Sequence, residues 1–152
     1  MLRIRSFVKY WLPLLVWMGI IFSASSDSGS FQHSSRIVAP LVRWLLPNLS
    51  DEAVHAIVVF VRKCAHLGEY AVLALLLWRA LRRESTQGNT AWRWSKAGLV
   101  LVLVALYASS DEIHQAFVPS REASIWDVML DTTGAAFGLA CLWGIGRLRK
   151  RW

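Results

Sequence analysis

The chain has 152 residues, 55% of them hydrophobic and nine of them tryptophan, with 17 Lys and Arg against 10 Asp and Glu. That apolar fraction exceeds the roughly 45–50% usual for soluble domains, and it falls in blocks, which argues against an ordinary soluble core and for a bilayer as solvent. The net charge of +7 does not make a nucleic-acid surface, because Lys and Arg sit in short flanks between the apolar blocks with no recognisable nucleic-acid module around them.

The first apolar block predicts a span over about 7–24, with Trp11 through Phe22 as its centre. Residues 1–25 also have the layout of a cleavable signal peptide, with a basic start and Ser23-Ala24-Ser25 at the end. Three further spans and alternating flank charges favour an uncleaved first helix. A polar stretch of small residues, 25–35, follows. Then Ile37, Val38, Leu41, Val42, Leu45 and Leu46 recur at helical spacing, flanked by Arg36 and Arg43. This segment is too short and too charged to span, and reads as a short amphipathic helix on the membrane surface.

Ser50 is a helix cap with Asp51 and Glu52 in the first turn, so the second spanning helix begins ahead of its apolar part, which covers about 62–81. Residues 82–95 form a polar loop. The third span covers about 97–113 and the fourth about 125–145. At about 1.5 Å per residue such lengths cross a hydrocarbon core of about 30 Å with little tilt. The expected fold is all-α: a polytopic four-transmembrane-helix bundle forming one domain over residues 1–152. No internal repeat is visible. Cys64 and Cys141 lie in apolar segments near opposite ends of the bilayer, which fits neither a disulfide nor a zinc site.

On a four-span path, twelve Lys and Arg fall on the side of the two termini and the middle loop, and five on the other. The positive-inside rule then places both termini in the cytoplasm, for a chain in the inner (cytoplasmic) membrane. Nine of the ten acidic residues go to the outer side, with Glu84 the exception. Trp11, Trp78, Trp92 and Trp94 near one boundary, and Trp44 and Trp126 near the other, suit interfacial belts.

This topology collects the polar residues of four helices at one depth. Lys63, His66 and Glu69 lie in the outer part of span two, Asp111 through Gln115 at the end of span three, and Asp127 and Asp131 at the start of span four. Charged side chains at membrane depth cost about 2.5–3.5 kcal/mol each on insertion scales, so a set of them is expected to face one another. Lys63, His66 and Tyr70 share a helix face, and Asp127, Asp131, Gly134, Gly138 and Cys141 form a stripe on span four. Glycines four apart let another helix approach closely, so the stripe points into protein.

Several of these residues have simpler readings. Asp127 completes a capping box with Ser124, Arg62 snorkels to the surface, Glu112 or Glu122 is a solvated loop charge, and Lys63 is a counter-ion. Asp131 and Glu69 lie too deep for surface solvation. His66, Glu69, Asp111, His114 and Asp131 are the candidates for acid–base work, with Lys63, Arg121, Asp127 and Gln115 as binding residues for an anionic group such as a lipid phosphate. His66, Glu69, Asp111 and His114, with Asp131, also suit a divalent metal by ligand type, but their spacing matches no known metal signature, and no cofactor is expected. Neither a glycine-rich phosphate loop nor a nucleophile elbow is present.

Three stretches together resemble the VanZ-like family. They are Lys63-x-x-His66-x-x-Glu69-Tyr70-x-x-Leu73, then Ser110-Asp111-Glu112-x-His114-Gln115-x-Phe117-x-Pro119-x-Arg121, then Ser124-x-x-Asp127-x-x-x-Asp131-x-x-Gly134-x-x-x-Gly138. The family usually shows glycine where this chain has Ser120. The resemblance implies a small multi-span bacterial envelope protein, in a family named for a member associated with low-level teicoplanin resistance. The expected partners are membrane lipid and an amphiphilic antibiotic or lipid-linked envelope precursor, with no nucleic acid. Whether the chain binds such a molecule, acts on it as an enzyme, or only pairs its polar residues internally is left open by the residues themselves.

Overall fold

A computed structural model describes residues 7–25, 31–83, 92–118 and 123–150, which form helices joined by turns. The helices are α1 (Leu12–Ser25), α2 (Phe31–Leu45), α3 (Asp51–Arg83), α4 (Trp94–Gln115) and α5 (Ile125–Leu148). Among the described residues, three helices are long and apolar enough to cross a membrane, namely α3 over Asp51–Arg82, α4 and α5, and α1 is a shorter apolar helix. The predicted all-α bundle, with an amphipathic helix after the first span, is the fold observed.

The 14 residues of α1 are fewer than the predicted span because the helix is interrupted at Trp11. Pro13 is the cause: its ring nitrogen cannot donate to the Lys9 carbonyl four residues back. That carbonyl accepts instead from Arg79 of α3 at 3.3 Å. Helical bonding still continues across the break, from Trp11 N to Phe7 O and from Leu15 N to Trp11 O.

Helix α3 is the hub and packs on each of the other four helices, most extensively on α5. Its 33 residues run for about 50 Å, well beyond a hydrocarbon core of about 30 Å. Ser50 Oγ accepts from the Ala53 amide at its start, and Arg43 of α2 pairs with Asp51. Val42 of α2 is buried, as are Val54 and Val58 on the early turns of α3, whereas Ile37, Leu41, Trp44 and Leu45 stay exposed as a lipid-contacting face would.

In lipid there is little hydrophobic drive between helices, so small residues and close packing hold a bundle together. Here Ala74, Ala80, Ala108 and Ala135 are completely buried. A Cβ on Gly134 would stand 2.3 Å from the Leu67 carbonyl oxygen, and one on Gly138 would stand 2.9 Å from that of Ala71. Leu67 with Gly134 and Ala71 with Gly138 advance together, so α3 and α5 lie parallel with backbones in contact. The stripe turns outward at its far end, where Cys141 is exposed.

Away from the glycines, packing is aromatic. Trp78 stacks on Trp92 at 4.2 Å, Trp92 meets Trp94 edge-on at 5.7 Å, and Trp94 lies 5.7 Å from Trp143. Trp44, Trp94 and Trp126 are largely exposed, as belt residues should be. Trp78 departs from that expectation: it is buried, because it lies on the inward side of α3 beside Leu77 and Ala74.

Candidate functional site

Most of the polar residues singled out in the sequence meet at one end of the bundle, but in three distinct arrangements rather than one cluster. The first is a buried network. Asp111 accepts from Tyr70 Oη and from Gln115 Nε2, both at 3.3 Å, and Gln115 Nε2 also donates to Ser25 Oγ at 2.7 Å. Ser25, Asp111 and Gln115 are each 2% exposed, so three helices are tied through one water-excluded chain. Tyr107 Oη to Met18 O and Trp17 Nε1 to Glu69 O fasten α1 to the same layer.

The second arrangement crosses from α3 to α5, directly beside the glycine contact. Lys63 Nζ lies 3.8 Å from Asp127, and His66 Nδ1 lies 3.7 Å from Asp131. The outer pair is partly exposed, whereas Asp131 is 1% exposed. Asp131 Oδ1, His66 Nδ1, His114 Nδ1 and Asp111 Oδ1 are buried without a hydrogen-bond partner among the described residues. Unpaired buried polar atoms are costly, and four of them gather at this end of the bundle.

The third arrangement is a cavity of about 300 Å³ among α1, α2 and α3. Ser25, Arg62, His66 and Glu69 supply its polar wall. Ile21, Val38 and Val58 contribute to the apolar one. A cation, an imidazole, a carboxylate and a hydroxyl thus face one space. Two of these residues connect it to the other arrangements: His66 has Asp131 beside it, and Ser25 accepts from the Asp111–Gln115 network.

The structure therefore sorts the predicted residues. His66 and Glu69 line the cavity; Asp131 stands next to His66 without lining it; Asp111 and Gln115 belong to the buried network. His114 lies against Phe22, ring centroids 4.3 Å apart, and Lys63 and Asp127 pair outside the cavity. Arg121, like Glu122, lies outside the described residues. Among the described residues no three His, Cys, Asp or Glu side chains gather as a metal would require, so the proposed ligand types do not converge.

Two residues read as surface features have other roles. Arg62 is half-buried and lines the cavity. The signal was present, since Arg62, His66 and Glu69 stand at i, i+4 and i+7 on α3, one face turned from Lys63, Leu67 and Ala71. Glu112 is not a solvated loop charge: it is 6% exposed and accepts from the Ser124 amide at 2.8 Å. Ser124 Oγ in turn accepts from the Trp126 amide, so the first turn of α5 is capped by its own serine and by a carboxylate from α4. Asp127 is not the acid that takes the Ser124 amide, and is left to face Lys63.

Residues 10–147 match the family model described as VanZ/LLP1. Comparison with curated proteins and with solved structures gave no match.

Proposed function

The chain belongs to the VanZ/LLP1 family and is a membrane protein, and on that footing we propose that it binds the polar head of an amphiphile in the cavity lined by Arg62, His66, Glu69 and Ser25. The charge count of the flanks supports both termini in the cytoplasm of a bacterial cell and the cavity in the outer leaflet. The observation that carries the reading is the makeup of that space: opposite charges and hydrogen-bonding groups beside an apolar wall, in a bundle whose outer surface is apolar. A lipid headgroup or an envelope-active amphiphile such as teicoplanin fits this combination, with Arg62 taking an anionic group and Glu69 a cationic or hydroxyl one.

A second reading, membrane-embedded acid–base catalysis on a lipid-linked or phosphorylated substrate, is favoured by one observation. His66 lines the cavity with a buried carboxylate, Asp131, 3.7 Å from its Nδ1, and a small approach would close the hydrogen bond by which a carboxylate orients an imidazole for proton transfer.

One experiment tests both readings. Purified protein in lipid nanodiscs is titrated with teicoplanin and with labelled envelope lipids, and the lipids are recovered for mass analysis. Arg62→Gln and Glu69→Gln are expected to weaken binding by about tenfold each, the loss of one charge-assisted contact. Unchanged binding in both folded variants would sink the headgroup reading. Altered lipid mass, abolished by Asp131→Asn, would establish the catalytic one.

A further inference from the structure

The end of the bundle opposite the polar cluster holds a second and larger space. An open cavity of about 600 Å³ is lined by Tyr10, Leu75, Trp78, Arg79, Arg82 and Leu142. We propose that this cavity is a binding site for an anionic phospholipid, with Arg79 and Arg82 taking the phosphate and Leu75, Trp78 and Leu142 the adjoining glycerol and acyl carbons.

Position, shape and charge support this occupant. Arg79 and Arg82 are three residues apart, so they project from neighbouring positions on one side of α3, in its last two turns. That is the level at which a crossing helix leaves the apolar layer and lipid phosphates stand. Guanidinium groups match phosphate oxygens in a planar, two-pronged geometry that ammonium groups do not offer. Arg79 is already oriented: it donates to the Lys9 carbonyl freed by Pro13 and lies 5.1 Å from the centre of the Tyr10 ring. The volume, twice that of the cavity at the other end, accommodates a headgroup with its glycerol.

The lining also sets selectivity. Among the described residues it includes two cations and no carboxylate. A zwitterionic lipid would place its own ammonium group beside two arginines and no lining carboxylate among the described residues, whereas phosphatidylglycerol brings only its negative charge.

The test is native mass spectrometry of the full chain released from nanodiscs of phosphatidylcholine doped with phosphatidylglycerol. Wild-type protein is expected to keep phosphatidylglycerol in preference to phosphatidylcholine. The Arg79→Gln/Arg82→Gln variant should retain about 25-fold less. Arg82→Gln alone, which leaves the Arg79 contact to Lys9 in place, should lose about fivefold and serves if the double variant is unstable. Arg147→Gln/Arg149→Gln, basic positions near the end of α5 that do not line the cavity, should retain it. Equal retention of phosphatidylcholine overturns the proposal. So does an equal loss in both double variants, which would indicate a diffuse basic belt, or displacement by millimolar inorganic phosphate, which would indicate a free-anion site.

Discussion

The two ends of this bundle are held together by different chemistry. At one end α3 and α5 touch backbone to backbone through Gly134 and Gly138, and buried carboxylates, an imidazole, an amide and a phenol fill the space between helices. At the other, tryptophans pack in series across α3, α4 and α5, and arginines lie over aromatic rings, Arg79 on Tyr10 and Arg147 on Trp143. Among the described residues the aromatic end packs without a buried carboxylate. At the first end Asp111, with Gln115, joins three helices through hydrogen bonds, whereas Asp131 Oδ1 has no such partner among the described residues, so its cost at membrane depth is the one that the packing leaves uncompensated.

The contrast can be broken most sharply at a glycine. Gly134→Ala places a methyl against backbone that cannot retreat, and should destabilise the fold by about 3 kcal/mol or more, seen as a large drop in thermal midpoint in detergent. Gly144→Ala, toward the aromatic end of the same helix, meets open space and should be neutral or stabilising by up to about 1 kcal/mol. Comparable effects at the two positions would show that both ends tolerate side chains equally. A smaller loss, about 1–2 kcal/mol, is expected for Glu112→Ala, which strips the Ser124 amide of its acceptor; Glu112→Gln, which keeps an oxygen there, should recover most of it in the same melt. The smallest effect belongs to Lys63→Ala. Its pair with Asp127 is long and partly exposed, so a shift of less than about 0.5 kcal/mol is expected, and a larger one would mean that the outer pair is as structural as the glycines.

How far the sequence reveals this arrangement depends on the range of each interaction. The helices, the inward glycine stripe and the depth of Asp131 follow from apolar length and a period of 3.6, both local properties. The partner of the stripe does not: only the packed structure shows that the Leu67 and Ala71 backbone fills the notch. Lys63 and Arg62 are adjacent in sequence yet face different neighbours, because one residue along a helix turns the side chain by about 100°. On the face through Lys63, His66 and Tyr70 the first two meet α5 and Tyr70 reaches α4, while the cavity lies on the face through Arg62, His66 and Glu69. Glu112 was illegible for a different reason, since its acceptor role is defined by an amide twelve residues away on another helix.

The glycine contact also gives the two sides of the cavity near His66 different anchors. Helix α3, which carries Arg62, His66 and Glu69, is keyed into α5 and cannot back away without parting the two backbones. On the facing side α1 is held by the hydrogen bonds of Trp17, Met18 and Ser25, whereas α2 meets α3 through side chains such as Val42 and the Arg43–Asp51 pair. On the proposed headgroup reading, a guest larger than the present 300 Å³ is expected to displace α2 before α3, leaving the charged side where it stands. On that reading the polar head falls to the helix held by backbone contact and differing bulk to the helix held by side chains.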